Sequence, residues 1–260
     1  MVLPLHDDNP ATLRPYVTVG IIITCVLLYV WQHLLMPDEG AQRVAYMLGV
    51  VPALLTGRVA QPAEMDLVPP VVSVLTSMFL HGGFWHLAGN MLYLWIFGNN
   101  VEDAMGHTRF LIFYVLCGIA AVFAQVLSGP DSQIPMVGAS GAISGVLGAY
   151  MLLYPRARVL LGMPLGFVIL QLGRFPAIWV LAAWFLMQLV MGSAAAAFDP
   201  GMREGGIAFA AHIGGFIAGL VLIGFFIRGK ERRQAERWSG WRPPERRRSG
   251  GWQNSRGGGW

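Results

Sequence analysis

The sequence predicts an all-α polytopic membrane protein, a bundle of six transmembrane helices. Three observations carry that expectation. The 260 residues are 55% hydrophobic but only 12% charged, half the charge of a soluble domain, which runs at about 25%. Six runs approach the roughly 20 mainly apolar residues that a spanning helix needs. The basic residues fall on alternate connections between those runs, as the positive-inside rule requires.

Residues 1–15 form a short polar segment expected in the cytoplasm. Asp7 and Asp8 spoil the basic region of a cleavable signal peptide, and the apolar run that follows is long enough to span. It is therefore expected to act as an uncleaved signal-anchor. The membrane domain is expected over 16–228, with runs at 16–36, 83–101, 110–127, 136–153, 176–191 and 207–227. The second contains His86 and Asn90 but is otherwise apolar. Between the first two, residues 37–82 hold Pro52, Pro62, Pro69 and Pro70 among apolar side chains such as Leu54, Leu55 and Val72. This connection is expected to fold onto the outer leaflet, since a free loop would be more polar. The run 159–172 is short, is interrupted by Gly162, Pro164 and Gly166, and is flanked by Arg156, Arg158 and Arg174. It reads as an interfacial segment and not as a span. Residues 229–260 turn to Arg, Gly, Ser and scattered Trp, too polar to bury a core, and are expected to be a disordered basic cytoplasmic tail.

The overall charge of +4 hides an asymmetry. From Arg228 onward there are ten basic and three acidic residues, a net +7, so the rest of the chain nets −3. With six spans and a cytoplasmic N-terminus, fifteen basic residues lie inside and only Arg43, Arg58 and Arg203 outside. Seven spans would put the whole basic tail outside. The charge therefore speaks of topology and contact with lipid, not of nucleic acid. The expected location is a bacterial cell (inner) membrane, with both termini cytoplasmic. Cys25 and Cys117 are lone thiols in separate apolar runs, which gives neither a disulfide framework nor metal-ligand spacing.

A polar side chain within a span is costly and reads as functional by default. Alternation of the spans brings His86, Asn90, Ser140 and His212 to one layer in the outer half of the bilayer. Ser140 lies in the first turn of its span, where unpaired backbone N–H groups face an anion. Glycines and small residues at four-residue spacing, Gly141 with Gly145 and Ser144 with Gly148, are equally how membrane helices pack closely. Ala211, Gly215 and Gly219 share one face of the last span, so its backbone can approach a second small-residue helix and bring His212 to the Ser140 hydroxyl. His86 and Asn90, four apart, face the same way and suit either oxyanion donation or a bridge between helices. His81 and His107 read as structural and loop residues; His6 and His33 as terminal or interfacial ones.

Taken in order, His86-(x3)-Asn90, Gly138-Ala139-Ser140-Gly141 and Ala211-His212-Ile213-Gly214-Gly215 resemble the rhomboid intramembrane serine proteases. Gly98, Glu102, Gly106, Phe110, Tyr114 and Gly118, recurring every four residues, are similar to that family's stretch between its second and third spans. The resemblance covers roughly residues 16–228. It implies a peptidase that cuts transmembrane protein substrates in or beside their membrane segments. Ser140 would be the nucleophile, His212 the general base, and His86, Asn90 and the Ser140 amide the oxyanion donors, with Gly138 ahead of the serine among the substrate-binding residues. It implies no cofactor and no metal, and membrane lipids as the surroundings.

Two departures stand out. No Trp-Arg pair occurs in the first outer connection, and Ser144 stands where some relatives stack an aromatic ring on the histidine. The last span holds no Asp or Glu, so a dyad is expected, and the resemblance does not say what orients His212. Two rivals remain: a non-proteolytic rhomboid-like protein that binds membrane clients, and a His86–His212 haem or metal site.

Overall fold

A computed structural model describes residues 2–36, 38–62, 67–166, 168–198 and 208–227. The chain is mostly helical. Four helices are long and apolar enough to cross a membrane: Tyr16–Leu35, His107–Ser128, Ala177–Ala194 and Phe209–Phe226. Pro70–Phe79 and Phe84–Met105 pass the same test together but are bent by 77° at their break, so the count reaches at most five. The expected count of six is not reached by that standard. The shortfall lies in the expected fourth span, whose helix covers only Ser140–Leu153. Fourteen residues rise about 21 Å, less than the roughly 30 Å of a hydrocarbon core.

The fourth span starts late for a local reason. Met136, expected to open it, instead forms an isolated bridge with Val50, exchanging hydrogen bonds of 2.7 and 3.0 Å. Gly138 follows at φ +133°, a backbone conformation that leaves the helical region and favours glycine. The helix is α8, Ser140–Leu153. It is preceded by α5 (Phe84–Tyr93), which runs through a π-helical stretch, Leu94–Gly98, into α6 (Asn99–Met105), and then by α7 (His107–Ser128). Gly106, at φ +79°, separates α6 from α7. The four-residue recurrence from Gly98 to Gly118 therefore crosses two helices and is not one face. The outer connection carries α2 (Asp38–Leu48), α3 (Pro52–Leu55) and α4 (Pro70–Thr76).

The chain is not all-α. Strands β1 (Leu3–Asp7), β2 (Arg158–Leu165) and β3 (Val168–Pro176) form one antiparallel sheet in that order. The hairpin β2–β3 occupies the run read as an interfacial segment, with Gly166 at φ +61° at its turn. Its sequence hides the strands because apolar residues do not alternate with polar ones there, and because β1 comes from more than 150 residues away. The tail read as disordered, 229–260, lies outside the described residues.

One end of the bundle is tied by three acidic side chains. The fully buried Glu102 accepts hydrogen bonds from the backbone N–H groups of Val17 and Thr18 at 2.9 and 2.8 Å, and from the Thr18 hydroxyl at 2.7 Å. In this way α6 caps the open N-terminus of α1 (Tyr16–Val30), which has no side-chain cap of its own. His107 Nδ1 lies 2.6 Å from the same carboxylate. Asp103 accepts from Thr12 and Leu13, and the buried Asp7 of β1 accepts from Tyr150 and Asn100 at 2.5 and 2.8 Å.

The centre is packed by glycine. On the last helix, α10 (Phe209–Phe226), a Cβ placed at Gly215 or Gly219 would stand only 2.0 Å from the carbonyl oxygens of Gly141 and Gly145. A Cβ at Gly214 would meet the Ala124 methyl of α7 at 2.3 Å. Backbone thus touches backbone, the packing that small residues permit in a membrane. Around this seam Phe97, Phe110, Phe113, Tyr114, Tyr150 and Phe216 are almost fully buried, with Phe97 edge-on to Tyr150. Cys25 and Cys117 are free and buried.

Candidate active site

The glycine seam sets the distance between two helices, and the two polar side chains that face across its upper end meet. Ser140 is the first residue of α8 and His212 is in the first turn of α10. His212 Nε2 lies 2.8 Å from Ser140 Oγ. On its other side, His212 Nδ1 lies 2.9 Å from Oε1 of Gln188, on α9 (Ala177–Phe198). An amide oxygen only accepts, so the Nδ1–H donates to Gln188, Nε2 is the accepting nitrogen, and the Ser140 hydroxyl donates to it. Both Ser140 and His212 are half-buried. The Trp184 ring, one turn before Gln188, lies 6.0 Å from the His212 ring.

Of the remaining expected residues, Gly138 and His86 lie beside Ser140. Gly138 sits between His86 and the serine: a Cβ there would be 2.8 Å from His86 Nε2 and 3.7 Å from Ser140 Oγ. Its φ of +133° and the missing side chain are thus both used. Its N–H is held by the Ser77 carbonyl at 2.9 Å. Asn90, one turn beyond His86 on α5, is buried, and its Nδ2 has no hydrogen-bond partner among the described residues. A buried amide donor without a partner costs about 1–3 kcal/mol. The first N–H groups of α8 likewise have no acceptor within their own helix.

Ser144, the second serine of the motif, is turned away. It is buried and its hydroxyl donates to the Ser140 carbonyl at 2.7 Å. His81, read as structural, is fully buried, stands edge-on to the His86 ring at 5.2 Å, and its carbonyl accepts from His33 Nε2 at 2.8 Å. A small cavity adjoins Ser140, lined by Met78, Gly118, Ala121, Val122, Met136 and Ala142 among others. Among the described residues no group of three or more His, Cys, Asp or Glu side chains is placed to hold a metal ion.

Gln188 and Trp184 were not picked out from the sequence, although a signal was present. Gln188 is the sole amide or charged residue between Ala177 and Phe198. A polar residue in an apolar run is costly, and Gln188 stands out in the fifth run as His86 and Asn90 do in the second.

A family profile described as "Rhomboid domain" matches residues 70–229, more than half the chain and all the residues of this constellation. Rhomboid protein 1, mitochondrial, of Saccharomyces cerevisiae is 34% identical over 181 residues, which are 67% of this chain and 47% of that protein. Rhomboid protease GluP of Bacillus subtilis is 45% identical over 78 residues, 30% of this chain and 15% of that one. Putative rhomboid protease YdcA of the same bacterium is 29% identical over 160 residues, 62% of this chain and 69% of that one. The chain thus spans about half the length of the yeast relative and less of GluP. Similar proteins come from mitochondria as well as from bacteria, so the expectation of a bacterial cell membrane gains no support from them.

Proposed function

The chain belongs to the rhomboid family of multi-pass membrane proteins, and from that premise we propose that it is an intramembrane serine endopeptidase. It would hydrolyse peptide bonds in or beside the transmembrane segments of other membrane proteins. The single observation that carries this reading is the 2.8 Å contact between His212 Nε2 and Ser140 Oγ, an accepting nitrogen on a serine hydroxyl. His212 takes the Ser140 proton as Oγ attacks the carbonyl carbon. The oxyanion that forms is met by the free Asn90 amide, by His86 and by the N–H groups at the start of α8. His212 then protonates the leaving amine, and water releases the acyl group from Ser140. The apolar cavity beside Ser140, with Gly118 and Ala121 in its lining, suits a small side chain just before the cut.

The same reading makes six crossings of the chain, with the Phe84–Met105 segment and the short Ser140–Leu153 helix as the second and fourth. It places 16–228 as the membrane domain and both termini in the cytoplasm, the arrangement that puts the basic residues inside. Its partners are transmembrane substrates and the surrounding lipid.

The test is cleavage of a transmembrane substrate by the protein reconstituted in liposomes. Ser140→Ala and His212→Ala should each abolish cleavage while leaving the melting temperature unchanged. Ser144→Ala should remain active, because that hydroxyl is spent on the Ser140 carbonyl. A fluorophosphonate should label the wild type and not Ser140→Ala. A protein that binds clients without cutting them would not be labelled, and that result would end the peptidase reading.

A further inference from the structure

We propose that Gln188 is the positioning residue of the dyad, holding His212 in the tautomer and orientation that a general base requires. This rests on the peptidase reading above and supplies what that reading lacks, a group on the far side of the histidine. Gln188 Oε1 lies 2.9 Å from His212 Nδ1. No Asp or Glu occurs in α10, and Ser144 is engaged with the Ser140 carbonyl.

Three features of α9 support the assignment. Gln188 is buried, and a side-chain amide in an apolar setting needs a partner; among the described residues the His212 ring is that partner. The neighbours of Gln188 on the helix, Phe185 to Met187 and Leu189 to Met191, are apolar, and among the described residues the amide oxygen has no donor other than His212. Trp184, one helical turn earlier, brings its ring to 6.0 Å from the imidazole, close to the distance at which an aromatic face favours a cation. Two residues of α9, Gln188 and Trp184, thus lie beside the imidazole.

The chemistry follows from which nitrogen carries the proton. With the Nδ1–H donated to Gln188, the lone pair at Nε2 faces Ser140 Oγ. When Nε2 takes the serine proton the ring becomes a cation, and the bond from Nδ1–H to the amide oxygen becomes charge-assisted and stronger. The contribution of Gln188 is thus larger in the transition state than in the resting enzyme. It should appear in kcat and not in KM.

The experiment uses the full chain in liposomes, with three variants at one position. Gln188→Met removes the acceptor while keeping length and apolar volume. It should lower kcat by about 10- to 150-fold, the range for a hydrogen bond to a group that becomes charged, with KM unchanged. Fluorophosphonate labelling, which requires no docking of a substrate helix, should slow by a similar factor. Gln188→Asn keeps the amide but draws its oxygen back by one methylene, and should lose most of the same rate at wild-type melting temperature. Gln188→Glu restores an acceptor oxygen at full reach and should recover activity relative to Gln188→Met. Wild-type kcat in either Gln188→Met or Gln188→Asn overturns the proposal, as does a change confined to KM or a Gln188→Glu variant no faster than Gln188→Met. Ser140→Ala run alongside separates the two readings. If it still cleaves, the dyad itself is wrong; if it is inactive while Gln188→Met is normal, only the role of Gln188 falls.

Discussion

Replacing Gly215 by alanine tests whether the helix seam, and not the side chains alone, places the histidine on the serine. Gly215 lies one turn along α10 from His212, and its contact on α8 is the carbonyl of Gly141, the residue after Ser140. The added methyl carbon would stand 2.0 Å from that oxygen, where real contacts are not found below 3.0 Å. The helices must therefore open by at least about 1 Å. The obstructing atom is a backbone oxygen and the added Cβ is fixed to the backbone of α10, so no flexible side chain can give way instead. An opening of that size at one turn's distance takes the 2.8 Å contact of His212 with Ser140 beyond hydrogen-bond range. A misplacement of about 1 Å costs on the order of 100-fold in rate, or about 2.7 kcal/mol of transition-state stabilisation. Overpacking adds roughly 1–3 kcal/mol of lost stability. The assay is kcat on a reconstituted transmembrane substrate together with the melting temperature of the same samples. Gly224→Ala is the internal control: it is on the same helix, a Cβ there would meet nothing within 4 Å, and it should behave as wild type. Gly215→Ala cleaving within about threefold of Gly224→Ala would refute the claim that glycine contact sets the catalytic distance.

Further outcomes follow from other parts of the molecule. Asn90→Ala removes a buried donor that has no partner among the described residues and should cost about 2.7–4 kcal/mol in kcat/KM; an unchanged rate removes Asn90 from oxyanion binding. Glu102→Ala strands the N–H groups of Val17 and Thr18 and should destabilise the fold by about 1–3 kcal/mol for each donor left unpaired, which a melting curve would show. Burial pushes the Asp7 carboxyl up from 3.8 to about 6, against the lowering effect of the Tyr150 hydroxyl. The folded chain then holds this proton between pH 4 and 6 where the unfolded chain has released it. Stability is fully present below pH 4 and lost as the pH rises through about 6, by on the order of 3 kcal/mol. Hydrogen exchange of β1 should accelerate over that interval, and Asp7→Asn should flatten the dependence; protection that increases with pH would contradict it.

Much of the candidate site was legible because membrane burial makes polar residues conspicuous. His86, Asn90, Ser140 and His212 each stand out against an apolar run, and the small residues around Ser140 and His212 announce helices that can approach closely. The structure brings His212 to Ser140 and His86 to Gly138, at distances that no spacing along the chain specifies. The start of α8 was not legible. The residues from Met136 to Ala139 are apolar or small, and only the pairing of Met136 with Val50, some 86 residues away, takes them out of the helix. The sheet was hidden for the same reason, since β1 and β2 recognise one another across most of the chain.

By itself the sequence determined a membrane body, the places where polar groups interrupt it, and the family to which the motifs belong, because these depend on composition and on order along the chain. Tertiary structure alone decided which atoms meet. The amide of Gln188 is one polar residue in a long apolar helix until α9 packs beside α10, and only then does its oxygen fall 2.9 Å from His212 Nδ1. Hydrophobicity is additive along a segment and can be read there. The direction of a hydrogen bond between two helices is set by how their backbones cross, and that is settled only when the bundle closes.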